Sequence, residues 1–390
     1  MSLKSHFARF LAHRPTRLHF CAHSHHPWPD VSFDAQQRAW LDAAELMDDK
    51  WTRIFGEIVP AAQHHLARLL NLPDHASLCF GANTHEFLTR LLSDIDARPL
   101  RVLTTDSEFL SFERQMRRLE EAGLAEVERV PVQPFDSFSE RFGAAARAGG
   151  QHLVWFSHVF YNTGYWIEDL LPLVDAVSST RSLVVVDGYH AFMAVPVDLG
   201  RIAARAFYLG GGYKYAMSGE GAAWMHCPPG YASRPLNTGW FAGFASLTDD
   251  GRGTVPYAED GSRFWGATFD PTALYRLNAV MDWARRHQLS ASVIRAHVLE
   301  LQRDFLAALD RLYHPVLARA RLQPPEPHPR GSFLTFSHPQ AHVVQRRLHE
   351  AEVITDVRGD HLRIGFGLYH DRSDVDELLR RIARLPSLPA

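Results

Sequence analysis

The stretch Ser182-Leu183-Val184-Val185-Val186-Asp187-Gly188-Tyr189-His190 is a β-branched run that stops at an acid. A second apolar run follows, Ala206-Phe207-Tyr208-Leu209, and it stops at Gly210-Gly211-Gly212-Tyr213-Lys214-Tyr215. Short, uniformly apolar runs of this kind read as parallel strands buried on both faces. Each then delivers a polar residue to the carboxyl edge of one sheet: Asp187 from the first, Lys214 from the second. An acid and an amine at one sheet edge suit pyridoxal 5'-phosphate. The acid keeps the pyridine nitrogen protonated, and the amine forms the covalent link. A structural ion pair is the alternative, and these two residues alone do not separate the readings.

Working outward, the chain alternates strand and helix patterns. Strands are predicted over 77–80, 100–105, 127–132, 152–157, 182–187, 206–209 and 221–227, with helices over 83–96, 108–122 and near 138–147. That alternation predicts an α/β fold with a mostly parallel sheet covered by helices on both sides. Ligands in such sheets bind beyond the carboxyl ends of the strands. Residues 228–270 read as loop, and long helices are predicted within 271–287 and 289–313. Beyond Pro324, Pro325, Pro327 and Pro329, a small α+β unit is predicted. Its strands lie at 332–336, 353–357 and 361–365, and its helices at 341–351 and 374–383, the last capped by Ser373 with Asp376. The division expected is an N-terminal arm and helix over 1–50, a large domain over 51–285 and a small domain over 286–390.

Composition sets the outer limits. The chain has 390 residues, enough for one large domain with a smaller one appended. The hydrophobic fraction of 46% and charged fraction of 22% are those of an ordinary globular protein. A net charge of −3 gives no basic surplus to attract nucleic acid or an anionic membrane. No apolar run is long enough to span a bilayer, and the first residues lack a secretion signal. The cysteines, Cys21, Cys79 and Cys227, are odd in number and far apart, which implies no disulfide framework and a reducing cytoplasm. The 23 histidines are mostly scattered and read as surface residues.

Further segments supply candidates. Phe80-Gly81-Ala82-Asn83-Thr84 ends a strand and opens a helix, which suits a phosphate as well as ordinary capping by Asn83 or Thr84. Phe109 leaves the second strand and offers a stacking platform, or simply a core aromatic. Ser157-His158-Val159-Phe160-Tyr161-Asn162-Thr163-Gly164 offers Asn162 and Thr163 to a cofactor, or a turn. His23, His25 and His26 crowd one loop without a placed carboxylate or cysteine, so no metal site is assigned. A histidine there suits acid–base work at the mouth of a site.

Taken in order, these segments resemble the class V aminotransferase group of fold type I pyridoxal-phosphate enzymes, over roughly residues 18–380. Within that group, Tyr213-Lys214-Tyr215, Gly219–Gly221 and Thr238-Gly239-Trp240-Phe241 are similar to the kynureninases. The resemblance implies a seven-stranded sheet and a homodimer with shared sites. It further implies that Lys214 carries the cofactor and Asp187 holds the ring nitrogen. Phe109 would stack on the ring, Asn83 and Thr84 hold the phosphate, and Thr268 reach it from a second subunit. Asn162, His190 and Tyr213 complete the cofactor shell. Arg363 would grip the substrate α-carboxylate through its fork, with Trp240, Asp270 and His25 around the rest of the substrate.

Departures accompany the likeness. Phe241 is followed by Ala242-Gly243-Phe244 where the family has a glycine and a histidine, and Asp270 stands where it has an asparagine. The arm His19-Phe20-Cys21-Ala22-His23-Ser24-His25-His26 replaces a glycine-containing stretch. Between Ala341 and Arg363 there is no cysteine, which excludes the desulfurase nucleophile. The expected activity is a kynureninase-like lyase or hydrolase on an α-amino acid. A class V aminotransferase is the alternative, and a non-catalytic cofactor-binding protein the third reading.

Overall fold

The computed structural model describes residues 2–246 and 253–386. Seven strands form the main sheet: β1 (Leu78–Gly81), β2 (Leu100–Thr105), β3 (Ala125–Val130), β4 (Leu153–Ser157), β5 (Leu183–Asp187), β6 (Ala206–Gly211) and β7 (Ala223–His226). Their spatial order is β1-β7-β6-β5-β4-β2-β3. Only β7 runs against its neighbours, so β1 and β6 share a direction and all strands but β7 end at one edge. The fold is therefore the α/β architecture expected, with its mostly parallel sheet. β4, β6 and β7 are buried along their whole length, and β5 up to Asp187. That is why these strands read as unbroken apolar runs rather than alternating ones.

The sheet has one topological switch. β2 and β3 pair along six residues, and β4 and β5 along five, but β2 and β4 pair only at Val102–Leu153 and Leu103–Val154. The two strands part before their carboxyl ends and leave a crevice there, where such sheets take ligands.

Helix Val59–Leu70 shows why the covering layer forms. Val59, Ala62, Leu66 and Leu70 lie on one buried stripe, and the helix ends at Asn71 in the left-handed conformation, φ 53°. Helix Val31–Leu46 packs on helix Thr272–Arg286, and Tyr275 Oη donates to the buried Asp42 carboxylate at 2.9 Å.

A second sheet has the order β9 (Asp356–Arg358), β10 (His361–Gly365), β8 (Phe333–Ser337), all antiparallel. With helices Ala291–Leu312, Ala341–Glu350 and Arg372–Ala383 it encloses a separate core around Leu301, Phe305, Val344, Leu348, Ile364 and Leu378. Phe20, from the far end of the chain, belongs to that core. The arm brings it there: Leu18 and His19 pair in parallel with Val353 and Ile354, and Cys21 bridges to Gly365.

Three expectations need correction. The last helix starts at Arg372 and is capped by Asp371, whose side chain and that of Asp374 form a capping box, so Ser373 is not the cap. The segment read as loop over 228–270 contains short helical turns at Trp240–Ser246 and Gly261–Phe264. Nor are all the histidines superficial, because six of the 23, His23, His26, His158, His190, His226 and His370, are buried. Among the described residues no helix is long and apolar enough to cross a membrane.

Candidate active site

The carboxyl edge of β5 and β6 gathers the first half of the site. Asp187 ends β5, and its Oδ1 accepts from Tyr189 N at 2.9 Å. After β6 the chain turns through Gly211 and Gly212; a Cβ on Gly211 would fall 2.2 Å from Tyr189 Oη, so only glycine lets that ring close over the turn. Lys214 follows and is buried. Its Nζ lies 3.2 Å from His190 Nδ1, 5.1 Å from the Phe109 ring centroid and 4.7 Å from that of Tyr189. Burial lowers the lysine, against the pull of Asp187, and burial raises the aspartate, against Tyr189 N–H and Lys214. The pair thus shares one low-dielectric pocket and leans towards its neutral form. His190 is held far below its usual value by burial and then by the charges of Lys214 and Arg363, so its imidazole is neutral.

Glu108 fills the crevice where β2 and β4 part. Its carboxylate accepts from Thr105 Oγ1 (2.6 Å), Ser157 N (3.1 Å) and Ser157 Oγ (2.6 Å), which ties the two strand ends together. Burial pushes it up to about 8, against these donors. Beside it Asn162 Nδ2 donates to Ser107 Oγ at 3.1 Å, while Asn162 Oδ1 is buried without a partner. Phe109 meets Tyr161 edge to face at 5.7 Å.

The second half comes from β9, β10 and the arm. Arg363, on β10, is buried; its Nη1 donates to Tyr161 O and its Nη2 pairs with Asp356. Asp356 also holds Arg358, Oδ1 to Nη1, at 2.9 Å. His23 is wholly buried, stacks on Phe333 at 4.7 Å, and lies 3.8 Å from Asp356 through Nε2. Ligand atoms of Cys21, His23 and Asp356 fall within 4.8 Å of one another. Two guanidiniums already on Asp356 make that corner a place for an anion rather than a metal ion. Cys21 itself is buried, and burial followed by the Asp356 charge pushes its thiol up to about 12, so it is no thiolate nucleophile.

The structure therefore draws together Asp187, His190, Tyr213, Lys214, Phe109, Asn162 and Arg363. The others lie apart from this cluster or on its rim. Asn83 caps helix Thr84–Ser93, accepting from Glu86 N at 3.1 Å, with Thr84 in the first turn at the same sheet edge. Thr268 is exposed. Asp270 is exposed and accepts from Thr272 N at 2.9 Å at the start of helix Thr272–Arg286. It lines a cavity of about 1000 Å³ with Trp28, Trp40 and Tyr275, whose walls do not include Lys214. That cavity lacks the paired acid and amine, so chemistry rather than volume locates the site. Trp240 is exposed and stacks on Phe241 at 4.1 Å. His25 is exposed, stacks on Tyr213 at 5.1 Å and pairs with Glu220 at 3.5 Å, whereas its neighbour His23 turns into the interior.

Sequence reasoning assigned no site role to Glu108, Cys21 or Asp356, and of the clustered histidines it placed His25 rather than His23 at the substrate. Asp356 carries the one usable signal, since it lies in the strand predicted just before that of Arg363. For Cys21 and His23 nothing local in the sequence points to a partner more than 330 positions away.

The architecture and the paired acid and lysine define the class: this is the fold of type I pyridoxal-phosphate-dependent enzymes. Its similarity to a C-DES mutant with glycine covalently linked to the PLP cofactor has a TM-score of 0.80 at 19% identity, covering 99% of this chain and 100% of that one. Within that class the chain is kynureninase-like. Residues 294–382 match the kynureninase C-terminal domain family. Kynureninase of Deinococcus radiodurans is 28% identical over 355 residues, which is 89% of this chain and 81% of that protein. Isopenicillin N epimerase of Streptomyces clavuligerus is 27% identical over 395 residues, covering 93% of this chain and 94% of that protein.

Proposed function

We propose that this protein is a pyridoxal-phosphate-dependent enzyme acting on an α-amino acid, a kynureninase-like lyase or hydrolase with altered specificity residues. The observation that carries this reading is the pairing of half-buried Asp187 with buried Lys214 at adjacent strand ends, the lysine beneath the Phe109 ring. Unpartnered buried polar atoms nearby, Asn162 Oδ1, Tyr215 Oη, Ser218 Oγ and Arg363 Nε, are what a polar ligand would satisfy. The residues present fit the cofactor: Lys214 to hold it covalently, Asp187 to face the ring nitrogen, Phe109 to stack, and Asn83 and Thr84 at a helix N-terminus for phosphate. Bound there, the cofactor supplies an electron sink for carbanion chemistry at Cα.

The chain's own residues do the rest. Lys214, lowered by burial, is poised to take a proton near neutral pH. Neutral His190 accepts from Lys214 Nζ and fixes its direction. Arg363 binds the substrate carboxylate, and the arm closes over the cluster, excluding water. We place the cofactor-binding unit at 51–285, the small unit at 286–390 and the arm at 1–50. In support, the two cores divide on helix Ala291–Leu312, between Ile294 and Val298. A homodimer is part of the proposal, supported by exposed Phe33, Trp40 and Met47 on and just beyond helix Val31–Leu46. So is a cytoplasmic location, supported by three buried, unpaired cysteines.

The test is turnover by the purified holoenzyme. L-kynurenine converted to anthranilate without an added keto acid supports the hydrolase. Turnover that depends on an added keto acid supports a class V aminotransferase, the reading we rank second. Absence of both, across a panel of amino acids, sinks the catalytic proposal.

A further inference from the structure

β9 and β10 pair so that Asp356 stands directly opposite Arg363. Cross-strand partners share a face, so this register fixes the two side chains together. Asp356 spends one oxygen on Arg363 and the other on Arg358. Two guanidiniums against one carboxylate leave one positive charge unbalanced, which is a place for one more anion. An incoming carboxylate that takes Arg363 would meet like charge on Asp356 unless Asp356 leans elsewhere.

Its other neighbour is His23. The Nε2–Oδ2 separation of 3.8 Å is too long for a hydrogen bond, and neither ring nitrogen has another partner although the ring is wholly buried. A buried imidazole with both nitrogens unmet is costly to keep. The backbone is shaped around it, because a Cβ on Gly365 would sit 2.1 Å from His23 Nδ1. The charged and titratable groups acting on His23 are Asp356 from β9, Arg363 from β10, His190 from the segment after β5 and Lys214 from the turn after β6, with Cys21 beside it on the arm. With Arg363 and Lys214 both near and solvent excluded, the imidazole is neutral, held down at about 3.

We propose that Asp356 shifts from Arg363 to His23 when a substrate carboxylate occupies Arg363, and that His23 then takes up one proton from solvent. Arg358 keeps hold of the other Asp356 oxygen throughout. Asp356 is thus a positioning residue that links recognition of the carboxylate to the charge of a histidine beside Lys214. The site acquires an acid only when it is filled. The inference rests on the amino-acid reading above, but its test does not.

The experiment is ¹³C-histidine NMR of the holoenzyme, with the His23 signal identified by its loss in His23→Gln. The probes are acetate and methylamine. Saturating acetate is expected to raise the His23 pKa by roughly 3 or more, enough to protonate the ring near neutral pH, and methylamine to leave it unchanged. In Asp356→Asn the acetate-induced change disappears, while acetate binds roughly fivefold tighter or more, because Arg363 has lost its resident counterion. Arg358→Gln is the second variant; there Asp356 clings to Arg363, and acetate binding weakens. Acetate that fails to bind, binds without moving His23, or binds Asp356→Asn no tighter overturns the inference. Borohydride labelling of Lys214 on the same samples scores the cofactor reading separately. Failed labelling sinks that reading, whereas the acetate response of His23 stands or falls alone.

Discussion

The two halves of the site are built on opposite principles. The half at the sheet edge is assembled from neighbours: β5 and β6 lie side by side, and Asp187, His190 and Lys214 follow from where those strands stop. The other half is assembled from extremes, with arm residues Leu18–His26 laid against β10 and the segments around Val353 and Leu368. At the edge, polar groups hold one another through short local contacts. In the arm, His23 is buried with nothing to bond. The edge is the fixed part, and the arm is the part whose partners are free to change.

If that contrast is right, the largest effect comes from the edge. Lys214→Ala is expected to lower turnover by on the order of 10⁴-fold and to abolish borohydride-dependent labelling at that position. The fold should survive, because burial works against the charged lysine and its loss relieves that cost. Thermal unfolding that falls sharply in this variant would mean that the lysine is a structural partner of Asp187, and the contrast would fail at its stronger end.

How much was legible follows the same division. The central strands β4 to β7 are marked by continuous apolar runs, since burial on both faces removes alternation, whereas edge strand β3 carries Glu126, Glu128 and Arg129; the ends of β5 and β6 then place Asp187 and Lys214. Arg363 was reached only through the family resemblance, and it lies on β10 with Leu362 and Ile364 buried beside it. Glu108 was given no role, because nothing in the local sequence marks it as buried. Only the early parting of β2 and β4 creates the gap that buries it. Among His23, His25 and His26 the sequence offers three equal residues. The bridge from Cys21 to Gly365 decides which ring turns inward, and that pairing has no local signature. Asp270 was read as a substrate residue, whereas its hydrogen bonds to Thr272 N and Oγ1 are those of a residue at a helix start.

A smaller effect should separate the halves. Gly365→Ala puts a methyl group into the space of the His23 ring, 2.1 Å from Nδ1. The expected cost is about 1–3 kcal/mol, typical of overpacking, read as a shift in the urea midpoint. Labelling of Lys214 should persist while turnover drops, because the arm is displaced and the sheet edge is not. Loss of labelling in this variant would show the two halves to be a single cooperative unit.

The smallest effect concerns protons. His26 on the arm and His158 at the sheet edge are both lowered to about 3 from 6.5, each chiefly by burial. A folded-state value below the unfolded one means that the stabilisation is complete above about 6.5 and is lost as pH falls towards 3, since the unfolded chain binds the extra proton. Each such histidine adds about 1.4 kcal/mol per pH unit to the slope within that window. In His26→Gln the amide can replace both ring contacts, to Pro27 O at 2.7 Å and from Leu368 N at 3.3 Å, without titrating. Its urea midpoint should therefore decline less steeply between pH 6 and 4 than that of the unsubstituted protein, by one proton's worth. An unchanged slope would mean that the arm already lifts away and hydrates His26 before the sheet unfolds. That result would sharpen the contrast, because it would show the arm opening as a unit of its own.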